Sequence, residues 1–426
     1  VKGWLKKMDT RLKRIIDLTR AKFGLQNYHL ERYQLLRRVN RSNDTVYSLS
    51  MEWFPNQGPE HAEDENPDGT AVIEIDVNTV KVKSAIFVND KSFAEGVKFD
   101  EKQDMIKWVE QETGLVYGKQ FQLQKDEANE LSFSECVDGV ALYPSGWIEI
   151  KCDPQGNLTM FSACIHAPTE KLIKKETYSL TLDRAADLAK DRLILTEIPL
   201  FEQEKRIPAY AIDEVYLSND RISEVPYESI MNERPFNQID KTLYWDKPLG
   251  KQRKRKVLHW TDETTVEQAF SCEPSPDSLP ITKPEQEMCI HEVKAFLSRE
   301  YTAESGKWIL KSLYRDKGYI FAVVRRVQKE SLLLKRKLTL MIDRNSLHLC
   351  NFVDNKPFVD SIDQFQTTGN IAVTKKTAYE KIKRYIELKP YYVYDFKQQL
   401  FILCGRLDCD NVVNASSGEV VQLDEL

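Results

Sequence analysis

Ile75-Asp76-Val77-Asn78-Thr79-Val80 reads as strand, turn and strand within six residues, and the same device recurs along the chain. Cys152-Asp153-Pro154-Gln155-Gly156-Asn157-Leu158, Ile342-Asp343-Arg344-Asn345-Ser346-Leu347 and Val413-Asn414-Ala415-Ser416-Ser417-Gly418 share its spacing, an Asp or Asn followed three positions later by Thr, Gly or Ser. Such a side chain folds back onto the backbone amide two residues on, and the small residue eases the return into the next strand. One carboxylate per turn is too few ligands for calcium, so the pattern points to hairpin turns rather than metal sites. A fifth candidate, Ser218-Asn219-Asp220, sits where the spacing expects one but fits it poorly.

Helices precede the hairpins at matching intervals. Asp100-Glu101-Lys102-Gln103 and Thr282-Lys283-Pro284-Glu285 each set a capping residue three positions before Gln or Glu, the capping-box spacing. Apolar residues recur at helical spacing after both, and again after Thr181, after Thr374 and from Asp9 to Phe23. The five starts, near 9, 100, 181, 282 and 374, predict an α+β protein of four or five tandem units, each one helix packed on an antiparallel β-sheet.

The run Leu131-Ser132-Phe133-Ser134-Glu135-Cys136-Val137-Asp138-Gly139-Val140, followed by Gly146 to Leu158, resembles the YcdB/YcdC repeat of Gram-positive bacilli, a PepSY-like module. Thr181 to Ala186 leading into Ile207-Pro208-Ala209-Tyr210-Ala211 resembles it too. The resemblance spans about residues 100 to 230 and extends more faintly into the two C-terminal units. It implies a bacterial repeat protein and, through the association of PepSY modules with peptidase propeptides, a role in restraining peptidases. It carries over no functional residue.

The expected division is 1–95 (basic helix plus sheet, with an acidic loop), 96–170, 171–230, an irregular linker at 231–280, then 281–365 and 366–426. The linker is inferred from Arg234-Pro235, Lys247-Pro248 and Cys272-Glu273-Pro274-Ser275-Pro276, which break regular structure. With 426 residues, 41% of them apolar, the chain has ample material for several cores. A net charge of −5 gives no overall excess that would draw nucleic acid. Eight cysteines without a Cys-x-x-Cys pair read as reduced core residues. With a charged N-terminus lacking the apolar run of a signal peptide, they place the protein in the cytoplasm.

Local charge is less even. Residues 1–41 hold twelve Lys or Arg against three Asp or Glu, leaving −14 on the remainder. Within them Trp4, Leu5, Met8, Leu12, Ile15 and Ile16 form an apolar stripe, with Lys6, Lys7, Arg11, Lys13 and Arg14 elsewhere on the helix. Such a stripe either docks on its own sheet or lies in a membrane interface, with Trp4, Leu5, Lys6, Lys7, Met8, Arg11 and Leu12 as the contact. The cluster Glu60, His61, Glu63, Asp64, Glu65 and Asp68 reads as a solvated loop or a loose cation site. Lys251 to Lys256 carries five cations in six residues, a solvated face or a phosphate contact.

Motifs of catalysis are missing: no His-Glu-x-x-His, no Gly-x-Ser-x-Gly, no phosphate loop and no dinucleotide fingerprint. The six histidines, 29, 61, 166, 259, 291 and 348, stand at least 30 residues apart. His291-Glu292 point about 100° apart on a helix, and Cys404, Asp408, Cys409 and Asp410 straddle a strand. Together these readings predict a non-enzymatic module without cofactor or metal that binds a protein or peptide through sheet edges or the faces between units. Peripheral membrane association through the N-terminal helix is the alternative. Oligomeric state and strand order stay open.

Overall fold

The computed structural model describes residues 8–40, 42–56, 66–219, 224–225, 236–249, 254–260, 264–327, 335–396 and 398–426. Strands dominate, with seven α-helices among the described residues, an α+β arrangement.

The chain begins with α1 (Thr10–Phe23) and the meander β1 (Tyr28–Val39), β2 (Thr45–Pro55), β3 (Ala71–Asp76) and β4 (Val82–Phe87). Then come α2 (Lys102–Thr113), β5 (Phe121–Glu127), β6 (Glu130–Val137), β7 (Val140–Tyr143), β8 (Trp147–Cys152) and β9 (Leu158–Cys164). The two meanders join along their last strands, where β4 pairs antiparallel with β9 at Ser84–Ser162, Ala85–Phe161 and Ile86–Met160. Both helices pack into one core with the sheet, and Trp53, Phe87, Phe121, Phe133 and Phe161 are fully buried there. Buried Glu112 of α2 ties the halves together: it pairs with Lys22 of α1 and accepts a hydrogen bond of 3.1 Å from the amide of Val82 in β4.

Next follow α3 (Leu182–Arg192), β10 (Leu193–Leu200), β11 (Lys205–Ile212) and β12 (Val215–Ser218). Their partners lie far along the chain, past β13 (Asn237–Leu243), α4 (Val266–Phe270), α5 (Lys283–Glu300), β14 (Trp308–Asp316), β15 (Tyr319–Arg326), β16 (Lys337–Asp343), β17 (Leu349–Asp354) and α6 (Lys356–Asp363). These partners come from the final segment: β18 (Gln366–Thr367), α7 (Lys375–Ile382), β19 (Glu387–Asp395), β20 (Leu400–Asp408), β21 (Asn411–Asn414) and β22 (Val420–Gln422). The exchange is reciprocal. β12 leaves its own hairpin to pair with β20, and β21 leaves the β19–β20 hairpin to pair with β11. α3 and α7 share one core with Leu193, Leu217, Leu407 and Val413. Between the two segments, β13 to β17 form a separate five-stranded sheet covered by α5, with Trp308, Leu310, Ile320, Leu340 and Phe296 in its core.

All five helix starts fall within two residues of the expected positions. Asp9, Thr282 and Thr374 accept backbone amides as N-caps, and Thr282 with Glu285 forms a complete capping box. At the second start the box expected from Asp100 and Gln103 does not form: Glu101 is the N-cap, without a side-chain bond. The cause is upstream, where Phe99 donates to the carbonyl of Gly156 and Lys98 bridges Asn157, holding the chain extended one residue longer. The proline-rich stretch holds both β13 and α4, whose capping box pairs Thr265 with Gln268. Ala269 is buried in the core of the first meander, and the Tyr47 hydroxyl donates to the Glu273 carbonyl at 2.6 Å.

The four aligned turns form as their spacing implies. The side chains of Asp76, Asp153, Asp343 and Asn414 each accept one or more backbone amides two to four residues on, at 2.7–3.1 Å. Three share one geometry: the Asx carbonyl accepts from the residue four positions later, which is left-handed in each case. That residue is Val80 (φ 57°), Leu347 (φ 54°) or Gly418 (φ 75°). Asn219, the fifth candidate, instead turns its side chain inward, accepting from the Ser179 amide and donating to the Thr177 carbonyl.

Two outcomes follow from these arrangements. Val80 is partly exposed, so Val80→Gly relieves left-handed strain at little packing cost and should stabilise by about 0.5–1 kcal/mol, whereas Gly418→Ala should destabilise by about 1 kcal/mol in urea unfolding. A chain ending at residue 365 should lose hydrogen-exchange protection in β10 to β12 while α5 and β14 to β17 keep theirs, because only the former lose pairing partners.

Candidate binding cleft at the sheet seam

The short strand β7 joins the N-terminal strands and the C-terminal β19–β20 hairpin into one sheet. β7 pairs with the end of β6 at Cys136–Ala141 and Val137–Val140, and on its other side runs parallel to β19 at Ala141–Tyr391, Leu142–Tyr392 and Tyr143–Val393. One continuous twelve-stranded sheet results, from β1 at one edge to β12 at the other. The tight β6–β7 turn is Asp138-Gly139, both left-handed, the pair such two-residue hairpins favour. Leu142 is buried at the seam with Tyr392, Tyr394, Phe401 and Leu403.

Beside this seam opens a cleft of about 480 Å³. Leu115, Val137, Ile173 and Tyr392 supply its apolar surface; Lys119, Asp138, Glu170 and Lys175 bring both signs of charge to it. The volume lies within the range of ligand sites, about 300–1,000 Å³.

Glu135 shapes one wall. It follows Leu131 and Phe133 on the inward face of β6 and is itself 1% exposed. Its carboxylate accepts the amides of His166 (2.9 Å) and Ala167 (2.8 Å), and its Oε2 lies 2.9 Å from His166 Nδ1. Ala167 is left-handed, so the two successive amides converge on the carboxylate as a small nest. Gly146 makes the approach possible: a Cβ there would stand 2.0 Å from Glu135 Oε2 and 2.6 Å from the Cys164 carbonyl oxygen. With both oxygens engaged, Glu135 fastens the loop after β9 that forms the far side of the cleft. The neighbouring Cys136 thiol is pushed up from its ordinary pKa by burial, so it stays protonated at neutral pH. The same burial, helped by Asp138, raises the Tyr392 phenol.

The residues singled out from the sequence lie elsewhere. Trp4, Leu5, Lys6 and Lys7 are outside the described residues. Met8 packs against the core of the first meander, Leu12, Ile15 and Ile16 are buried in it, and Arg11 pairs with Asp9 and lies 4.5 Å from the centroid of the Phe270 ring. Glu60, His61, Glu63, Asp64 and Glu65 are also outside the described residues, and Asp68 binds Asn89 and Lys91. His291 is exposed and Glu292 buried, as their angular separation requires; Glu292 accepts the Leu349 amide at 3.0 Å. Cys404 and Cys409 lie in different cores, and among the described residues no group of three His, Cys, Asp or Glu is placed to hold a metal. The described cysteines are all free thiols. Among the described residues no helix is long and apolar enough to cross a membrane.

No family model matches the chain, the YcdB/YcdC repeat included, and no curated protein matches it. Among solved structures it is similar to the Bacillus megaterium YpeB C-terminal domain, at 8% identity over 80% of this chain and 96% of that one, with a TM-score of 0.24. So distant a likeness adds nothing to the strand pairing described above.

Glu135→Ala should cost about 2–4 kcal/mol, because it strands two buried amides and a histidine. Gly146→Ala should cost a comparable amount by pushing β8 off the carboxylate. Thermal denaturation of both variants checks this, and proteolysis should cut first within residues 165–175.

Proposed function

We propose that the chain is a non-enzymatic binding protein whose seam cleft receives an extended peptide segment of a protein partner. The observation that carries this reading is the cleft itself: apolar Leu115, Val137, Ile173 and Tyr392 for side chains, and Lys119, Asp138, Glu170 and Lys175 for backbone and charged groups. Glu135, holding the amides of His166 and Ala167, fixes the loop that bounds the cleft and so gives a partner a preformed wall. The five helix-plus-strand segments, read as tandem PepSY-like units, agree with such a role and make a peptidase or its propeptide a fitting class of partner.

Panning the full chain against random ten-residue peptides tests the reading. Enriched peptides should bind saturably by fluorescence anisotropy, and Tyr392→Ala or Lys175→Glu should weaken them about tenfold. Cleavage of the peptides, or binding indifferent to both substitutions, would overturn it.

A further inference from the structure

Lys254 and Arg255 border a second cavity, whose lining shares no residue with the seam cleft. Residues 254–260 cross the outer face of the β13–β17 sheet as an extended strap, with Leu258 packed against Tyr319, Phe321 and Met341. The Lys256 amide donates to the Cys350 carbonyl at 2.9 Å, and Asn351 Nδ2 returns a bond of 3.1 Å to the Lys256 carbonyl. Further along, the His259 amide donates to the Tyr319 hydroxyl at 3.0 Å, and Trp260 lies parallel to Phe321. The strap's entrance thus has a fixed course beside β17.

Between that entrance and the C-terminal end of α5 lies a cleft of about 290 Å³. Phe296, Leu349 and Phe352 give it an apolar floor, and Lys254, Arg255 and Arg299 stand around it against one carboxylate, Glu300. Among the described residues none of the three cations has an ion-pair partner, whereas Arg192, Arg206, Arg315, Arg326, Arg336 and Arg344 are all paired with carboxylates. Two are partly accounted for by their surroundings. Arg299 sits in the last turn of α5, where the helix dipole favours a cation, and donates to the Leu249 carbonyl. The Arg255 guanidinium lies 3.8 Å from the centroid of the Phe352 ring. Neither contact neutralises charge, and neither fills the space that the cations surround.

We propose that this cleft binds a small amphipathic phosphate: the phosphate taken by Lys254, Arg255 and Arg299, and an aromatic or short apolar group laid on Phe296 and Phe352. Guanidinium and ammonium donors around a dianion give charge-assisted hydrogen bonds, and the planar fork of arginine suits phosphate oxygens. The apolar floor discriminates: a bare phosphate gains the charge term alone, and an uncharged phenol the burial term alone. The site is independent of the seam cleft.

Isothermal titration of the full chain with phenyl phosphate, inorganic phosphate and phenol tests the assignment. Phenyl phosphate should bind one-to-one, at least about tenfold more tightly than inorganic phosphate, with phenol silent and with affinity falling as salt rises. The exposed pair Lys254→Gln/Arg255→Gln should weaken phenyl phosphate by about tenfold or more, and Arg299→Gln should do the same with an unchanged circular dichroism spectrum. Equal binding of phosphate and phenyl phosphate, no saturation by either, or affinity unmoved in Lys254→Gln/Arg255→Gln would overturn it. So would binding of a single-stranded oligonucleotide without any binding of phenyl phosphate.

Discussion

The parallel pairing of β7 with β19 is the constraint on which the rest of the molecule depends. Only three residue pairs span the joint, yet they make one sheet of what would otherwise be two. Hydrogen bonds across so short a strand contribute little on their own, about 1 kcal/mol each. Burial of Leu142 against Tyr392, Tyr394, Phe401 and Leu403 adds the apolar term that holds the pairing in register. The seam cleft exists because the β6–β7 turn, the loop after β9 and β19 all converge at this joint.

What the sequence discloses and what it hides divides along distance. Helix starts at Asp9, Thr282 and Thr374 and the turns at Asp76, Asp153, Asp343 and Asn414 are legible because each rests on side-chain bonds spanning two to four residues, whereas Thr181 caps without one and is marked by the apolar spacing that follows it. Asp100 misleads because a contact from Gly156, more than fifty residues on, sets where that helix begins. β13 escapes notice for another reason: Asn237-Gln238-Ile239-Asp240-Lys241 is too polar to announce a strand, and it forms one by pairing at the edge of a sheet completed later. The Thr265–Gln268 capping box was open to reading and is obscured only by the surrounding prolines.

The cleft was partly legible. Leu131, Phe133 and Glu135 alternate on one face of β6, so the third position puts a carboxylate where the pattern asks for an apolar side chain, the kind of local inconsistency that marks a special site. Its partners, His166, Ala167 and Gly146, carry no such mark, since Glu135 reaches them by strand pairing. The N-terminal stripe illustrates the converse. Its amphipathic pattern is plain in sequence, but a core-facing helix and an interfacial helix write the same pattern. Leu12, Ile15 and Ile16 are committed to the sheet, so a membrane would have to be met by other residues.

The reciprocal exchange of third strands also bears on how the chain is made. Glu214, at the turn before β12, pairs with Arg406, 192 positions later. A ribosome adding about 5–20 residues per second would release β10 to β12 roughly 10–40 seconds before their partner strands exist. During that interval the β13–β17 body can fold by itself, while two nascent edges, β11 and β12, stand open to any other strand in the cell. Accurate synthesis of this protein is therefore a matter of guarding those edges until residues 366–422 arrive.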